Sequence, residues 1–288
     1  MYALAARLGV ETARIYGAAD DPGVCDRPDL AFPVVLKPVF SHRMCARFAR
    51  KLFVVQTRDE LRPQTARLRE AGIRALVMDL VPGPDTNVYS YSAYVRADGS
   101  PAGERVLRKI RQSPPLFGVS RLVETSDLYE LREPALALVR AAGWRGIVEA
   151  EYKRDPRDGR FRLMDLNGRC FLQMGLHLRS GVNYPWLAWR DLTGHEIPDP
   201  PQADWNGIWI SELDDLHYAL FHRGAESLGW ADYFRPYGRP KTFLLWSARD
   251  PLPFLVALHR ELLRVPRALF SPRRRKELRN RATSGSCA

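Results

Sequence analysis

Residues 146–169 read GIVEAEYKRDPRDGRFRLMDLNGR, two alternating runs around the turn-forming segment 155–159. Asp, Pro and Gly in that segment predict an antiparallel β-hairpin. On its strands, Glu151 and Asp165 face each other across the ladder, and Asn167 lies on the same face two residues on. Two opposed carboxylates repel each other unless a cation lies between them, and Mg²⁺ prefers carboxylate and amide oxygens. The spacing alone leaves two interpretations open, a magnesium site and a pair of solvated strand faces.

Helices and strands alternate along the rest of the chain. Short β-branched runs bounded by Pro, Gly or Asp predict strands, and longer runs with apolar residues at helical spacing predict helices. The predicted strands span residues 32–37, 52–56, 74–81, 86–97, 103–112, 146–153 and 160–166, and the predicted helices span 2–8, 59–71, 127–142 and parts of 171–193 and 209–234. This alternation predicts an α/β or α+β fold.

The composition describes a folded protein with a basic end. Of its 288 residues 45% are hydrophobic and 27% charged, which excludes a largely disordered chain. Residues 260–281, with nine basic and two acidic residues, contribute +7 to a net charge of +11. Because this charge lies at one end and is not interleaved with aromatic residues, binding to nucleic acid is disfavoured. The basic, amphipathic end predicts contact with an anionic membrane or a partner protein, or else a solvated helix.

The remaining global features concern the cellular compartment. Four scattered cysteines have no metal-type spacing, and the start of the chain lacks a secretory pattern. No run approaches the ~18 apolar residues of a membrane span. We therefore expect a cytoplasmic protein, which would be peripheral at the inner face of the membrane if residues 260–281 bind lipid.

Two further segments carry candidate binding residues. Lys37 ends an apolar strand, where an ammonium group can neutralise phosphate oxygens; an ordinary surface lysine has the same signature. The strand at residues 76–81, followed by Pro82 and Gly83, can offer backbone groups and apolar side chains to an adenine ring. Any buried strand has this pattern, so neither segment identifies a site by itself.

Taken in order, these segments resemble the ATP-grasp superfamily of carboxylate-amine ligases, and within it the predicted carboligases similar to D-aspartate ligase. The resemblance covers about residues 1–195, and the matching segments are 32–38, 77–83, 108–115 and 151–169. It implies an α+β fold with two lobes whose antiparallel sheets clamp ATP. The corresponding regions are residues 1–81 for the N-terminal lobe, 82–198 for the C-terminal lobe and 199–288 for a mostly helical extension.

The resemblance also implies a role for each matching residue. Lys37 corresponds to a lysine that contacts ATP phosphates, and Met78, Asp79 and Leu80 to the linker that holds adenine. The Mg²⁺ (or Mn²⁺) ligands would be Glu151, Asp165 and Asn167. Arg169 would steady the phosphates or an acyl-phosphate intermediate, and Lys109 and Arg111 would lie near the γ-phosphate and the carboxylate substrate.

The sequence departs from the family pattern at three places. The family's preceding pre-ATP domain is expected to be missing, or to be supplied by a separate partner. Residues 39–45 contain no glycine where a Gly-rich loop is usual, so Ser41, His42 or Arg43 would take over its contacts. Asp165 stands where Glu is usual, and Gly168 stands where Pro is common.

The implied function is ligation. An ATP- and Mg²⁺-dependent enzyme of this kind joins a small-molecule carboxylate to an amine through an acyl phosphate, by positioning the reactants and neutralising charge. The alternative is a catalytically silent nucleotide-binding subunit or partner protein. ATP bound without release of ADP would favour that alternative.

Overall fold

A computed structural model describes residues 1–113, 117–200, 205–221 and 228–269. The chain forms two compact units. The smaller unit is built mainly from residues 13–82, and the larger unit comprises residues 1–12, 83–112 and 120–267. The predicted matching segment 108–115, the predicted extension at 199–288 and the basic end at 260–281 each lie partly outside the described residues.

The elements are numbered in chain order. The helices are α1 (Tyr2–Arg7), α2 (Ser41–Phe48), α3 (Arg58–Glu70), α4 (Arg132–Ala141), α5 (Met174–Arg179), α6 (Tyr184–Leu192), α7 (Glu212–Phe221), α8 (Trp230–Phe234) and α9 (Leu252–Leu269). The strands are β1 (Ile15–Ala18), β2 (Val34–Pro38), β3 (Phe53–Val55), β4 (Ala75–Asp79), β5 (Val88–Val95), β6 (Pro101–Ser113), β7 (Val119–Ser126), β8 (Gly146–Arg154), β9 (Phe161–Asn167), β10 (Ile208–Ile210) and β11 (Lys241–Phe243).

The smaller unit is a four-stranded antiparallel sheet in the order β1-β4-β2-β3. Side chains alternate between its faces, so Val34, Leu36 and Val77 share one side, and all three are fully buried. They belong to a hydrophobic core that includes Met44 of α2 and Leu61 of α3. The core of this unit therefore lies on one side of the sheet, beneath the two helices.

The larger unit contains a seven-stranded sheet in the order β11-β10-β7-β6-β5-β8-β9. Pairing along β10-β7 and β6-β5-β8-β9 is antiparallel, and β10 and β11 are parallel. Tyr91, Ala150 and Tyr152 point to one face and form a core with Ala5 of α1 and Leu136 of α4. The same alternation sends every other residue of β5, β8 and β9 to the opposite face, where the candidate site lies.

The predicted α+β class is confirmed, and so are the two predicted hairpins, β5-β6 and β8-β9. The predicted helical segment 209–234 is wrong at its start, because Trp209 lies on β10, which pairs with β7. Strand β10 has three residues, too few for alternation to show, and all three are buried. Strand β7 and helix α2 were also not predicted. In the described part of the chain, no helix combines the length and apolar content needed to cross a membrane.

Candidate active site

The polar face of the larger sheet carries two adjacent rows of oxygen-bearing side chains. The three adjacent strands β5, β8 and β9, at one edge of the sheet, contribute one residue each to a row, and residues in one row lie directly opposite one another. The first row is Ser90, Glu151 and Asp165, and the second is Ser92, Glu149 and Asn167. The predicted pairing of Glu151 with Asp165, with Asn167 on the same face, is therefore present.

A β-bulge in the hairpin produces this arrangement. Tyr152 lies opposite Leu163, but the preceding residue, Glu151, lies opposite Asp165, so Met164 is an extra residue on β9. An extra residue reverses the side to which all later residues of the strand point. Leu163 faces the core, and without the bulge Asp165, two residues on, would face the core as well. The bulge turns Asp165 to the polar face instead.

Lys109 brings a positive charge to the two rows. It lies on β6 and is buried, and its Nζ is 2.6 Å from Glu151 Oε2. Its Nζ also lies 3.5 Å from Gln112 Oε1. Gln112 donates two hydrogen bonds to Asp85, one from its backbone N–H at 3.0 Å and one from Nε2 at 2.7 Å. Lys109 is thus held between the carboxylate of the hairpin and an amide that is itself fixed.

Glu149 is the acid that sequence reasoning missed. Its side chain is only 7% exposed, and burial, followed by the neighbouring charge of Glu151, raises its pKa to about 7. Asn167 Nδ2 donates a 3.3 Å hydrogen bond to Glu149 Oε2. This bond directs the amide nitrogen towards Glu149 and leaves the amide oxygen on the other side, where it can act as a ligand.

Two more cations border the rows. Lys153, two residues after Glu151 on β8, shares its face and is buried; burial lowers the pKa of its ammonium group. Arg169 lies just beyond β9 and is exposed, and its Nη1 donates to the carbonyl of Cys170 at 3.0 Å. Its charge opposes the rise in the pKa of Glu149. The face therefore combines acids with ammonium and guanidinium groups, as expected where phosphate and metal meet.

Arg111 makes contacts that differ from those expected of a substrate-binding residue. Its Nε and Nη2 donate to the two carboxylate oxygens of Asp215 at 2.9 and 2.8 Å, and both side chains are buried. Its guanidinium carbon lies 4.4 Å from the ring centroid of Tyr233, and its Nη1 donates to the carbonyl of Tyr233. These contacts tie β6 to α7 and α8. The catalytic role of Arg111 remains a prediction, and its observed contacts are structural.

The nucleotide candidates of the smaller unit lie on two neighbouring strands. Lys37 on β2 lies opposite Leu76, and Val35 lies opposite Met78 on β4, so Lys37 and Met78 share the face away from the core. Asp79 ends β4 opposite Val34, three positions from Lys37 or about 10 Å along the sheet. Its N–H donates to the carbonyl of Arg14, and Leu80 follows directly.

The segment after Lys37 is helical. Ser41, His42 and Arg43, expected to substitute for a glycine-rich loop, form the first turn of α2 and are exposed. Their predicted contacts with phosphate remain untested.

Several neighbours of the site could have been found from the sequence. Glu149 and Lys153 are each two residues from Glu151, and a strand places residues at that spacing on one face. Asp85 and Gln112 gave no such signal, because 27 positions separate them and they meet only through the fold.

The comparisons with known proteins bear on the fold. No family model matches the chain. A D-aspartate ligase from Enterococcus faecium (strain Aus0004) is 28% identical over 145 residues, which are 48% of this chain and 34% of the ligase. Biotin carboxylase from Campylobacter jejuni superposes with a TM-score of 0.58 at 15% identity, over 72% of this chain and 48% of that one. N5-carboxyaminoimidazole synthetase from Staphylococcus aureus, complexed with ADP, superposes with a TM-score of 0.59 at 9% identity, over 77% of this chain and 59% of that one.

The chain has the ATP-grasp fold. The resemblance predicted from the sequence, to this superfamily and to D-aspartate ligase, is confirmed. The chain spans about a third of the length of that ligase and about half of the length of the biotin carboxylase.

The donor set on the polar face of this ATP-grasp sheet fits a hard divalent cation. Glu151, Asp165 and Asn167 offer oxygen ligands, which suit Mg²⁺ and Mn²⁺ better than metals that prefer sulfur or imidazole. Among the described residues, no three His, Cys, Asp or Glu side chains are grouped to hold a metal ion. The set is therefore two carboxylates and an amide, and Mg²⁺ usually completes its shell with water and phosphate oxygens.

Proposed function

We propose that this chain carries out the ATP- and Mg²⁺-dependent joining of a carboxylate to an amine. The observation that supports the proposal most directly is the pair of rows on the polar face. Glu151 and Asp165 are opposed in one row, Asn167 lies in the next, and Lys109 is paired with Glu151. The similarity to a D-aspartate ligase over 145 residues agrees with it.

In this proposal Glu151, Asp165 and Asn167 hold the cation. Mg²⁺ supplies charge neutralisation for phosphate oxygens and orients the transferred phosphoryl group. Glu149 keeps the Asn167 amide oriented through its hydrogen bond. The remaining task of the protein is electrostatic, since the carboxylate substrate and ATP are both anions and repel each other.

The cations of the chain meet that requirement. We assign Lys109, Lys153 and Arg169 to the anionic oxygens of the phosphates and of the carboxylate substrate. Lys37 is assigned to the ATP phosphates, and the segment Met78, Asp79 and Leu80 to adenine. Lys37 and Met78 share one face of the small sheet, so a cation and an apolar side chain are available to one nucleotide on the same side.

The reaction then proceeds in two balanced steps. A carboxylate oxygen of the substrate attacks the γ-phosphorus of ATP, the bond to the bridging oxygen breaks, and ADP leaves. The amine then attacks the carbonyl carbon of the acyl phosphate, inorganic phosphate leaves with the bonding electron pair, and the amine loses a proton. The products are an amide, ADP and phosphate.

The experiment is ADP release by the full chain over a panel of carboxylates and amines, with and without Mg²⁺. We expect release that requires Mg²⁺ and both substrates, and a loss of at least 100-fold in Asp165→Asn and Lys37→Ala. Asp20→Asn, an exposed acid of the smaller unit, is the matched control and should keep full activity.

Two outcomes would count against ligation. Mg²⁺-dependent binding of ATP without ADP release across the panel would indicate a silent nucleotide-binding protein. Absence of ATP binding, together with an unchanged Asp165→Asn variant, would remove the nucleotide site altogether.

A further inference from the structure

Helix α9 is attached to the larger unit by only one of its sides. The half-buried residues are Phe254, Ala257, Leu258 and Glu261, which recur at the spacing of one helix face. The ring of Phe254 packs edge-on against Trp246, with centroids 5.4 Å apart. Glu261 is one of the charges that act on His217 of α7. These contacts define the inner side of α9.

The outer side of α9 faces solvent and is largely apolar, with the exposed His259 as its one polar residue in the described part of the helix. Five exposed aliphatic residues lie on it, with Leu252 63% exposed and Leu262 59% exposed; the others are Leu255, Val256 and Leu263. At 3.6 residues per turn, all five fall within an arc of about 120°. A surface helix of a folded protein ordinarily turns its apolar stripe to the core and its charged residues to water. Helix α9 departs from this pattern, because apolar side chains occupy both its inner and its outer side.

Basic residues accompany this outer apolar stripe. Arg260 is exposed beside it, and the sequence has two further arginines at positions 264 and 267 of the same helix. The apolar stripe extends from Leu252 to Leu263, a length of about 17 Å along the helix. An apolar stripe accompanied by basic residues is the pattern of helices that lie in the plane of an anionic bilayer surface.

We propose that α9 docks on an anionic lipid bilayer through Leu252, Leu255, Val256, Leu262 and Leu263. The leucines enter the boundary between headgroups and acyl chains, and Arg260 reaches lipid phosphates from beside the stripe. The positive charge of the chain favours an anionic bilayer over a second copy of the chain as the partner of α9. Two copies facing each other through α9 would bring their arginines together, in a protein whose net charge is already +11.

The test is co-sedimentation of the full chain with vesicles of phosphatidylcholine alone or with 30% phosphatidylglycerol. We expect at least tenfold stronger binding to the anionic vesicles, weakened by 0.5 M salt. Leu255→Glu combined with Leu263→Glu should reduce binding at least tenfold. Both residues are exposed, so the fold should be retained, which circular dichroism checks.

Leu178→Glu combined with Leu192→Glu, on α5 and α6, is the matched control. Leu178 is 57% exposed and Leu192 is 84% exposed, so the same two charges are added at exposed leucines of other helices, and binding should not change. Equal sedimentation of the α9 double variant and the unchanged chain would overturn the proposal. So would equal binding to both kinds of vesicle, or a dimer in solution that the α9 substitutions dissociate.

Discussion

Lys109 and Glu151 form an ion pair on the polar face of the larger sheet, with Nζ and Oε2 2.6 Å apart. The acid lies in a row beside that of Glu149, and the lysine is buried. The ammonium group therefore balances negative charge at the place where a divalent cation is proposed to bind. We therefore expect the protein's stability to depend on a positive charge at this place.

Replacing the ammonium group tests this dependence. Lys109→Gln leaves Glu149 and Glu151 without their nearest cation, so we expect the free energy of unfolding to fall by about 3 kcal/mol in chelator. Mg²⁺ should then raise the melting temperature more in this variant than in the unchanged chain. Lys241→Gln, at an exposed lysine of β11, is the control. Equal Mg²⁺ effects in all three proteins would contradict the proposed cation site.

Replacing Arg111 is expected to lower the stability of the protein, because its contacts are structural. Lysine cannot reproduce the two parallel hydrogen bonds to Asp215 or the stacking on Tyr233. Arg111→Lys and Asp215→Asn should each lower the free energy of unfolding by about 3 kcal/mol or more, measured in urea. A normally stable Arg111→Lys variant that releases no ADP would instead show that Arg111 acts on substrate.

His177 should make the fold sensitive to acid. Burial lowers the pKa of His177 to about 4, and its Nδ1 bonds to the carbonyl of Gln173 while Nε2 has no hydrogen-bond partner among the described residues. Below pH 6.5 the imidazole of His177 is protonated in the unfolded chain, but in the folded chain it stays neutral until about pH 4. Stability is therefore lost as the pH falls through this window, by about 2 kcal/mol at pH 5.

His177→Gln should remove that loss, because an amide can still donate to the Gln173 carbonyl but does not titrate. The measurement is the free energy of unfolding at pH 7 and pH 5. His195→Gln, at an exposed histidine, should keep the original pH dependence. The same dependence in the His177→Gln variant would assign the acid sensitivity to other groups.

Packing against Trp144 explains why position 168 is a glycine, which the family pattern did not suggest. A Cβ at this position would lie 2.5 Å from Cζ2 of Trp144, whose Nε1 donates to the carbonyl of Ile147. Gly168→Ala should therefore displace the indole or the strand end, at a cost of about 1–3 kcal/mol. Because Asn167 and Arg169 flank the glycine, affinity for Mg²⁺-ATP should fall too. Combining the change with Trp144→Ala should restore affinity; additive losses would argue against the clash.

The sequence was informative where local pattern and structure coincide. The turn at 155–159 and the alternation around it predicted the β8-β9 hairpin and the pairing of Glu151 with Asp165. The same alternation indicates Glu149, which lies two residues before Glu151 and therefore on the same face. What could not be predicted depends on distant parts of the chain. Arg111 meets Asp215 across 104 positions, and the three-residue strand β10 forms only because β7 is there to pair with it.

The β-bulge at Met164 affects how this protein can change by mutation. Met164 is not counted in the alternation of β9, so Asp165 follows Leu163 as its next paired residue and lies opposite Glu151. Deleting the one codon for Met164 would place Asp165 directly after Leu163, and ordinary alternation would still turn Asp165 and Asn167 to the polar face. The proposed cation site can therefore survive the loss of its bulge residue, because the side chain of that residue contributes no ligand.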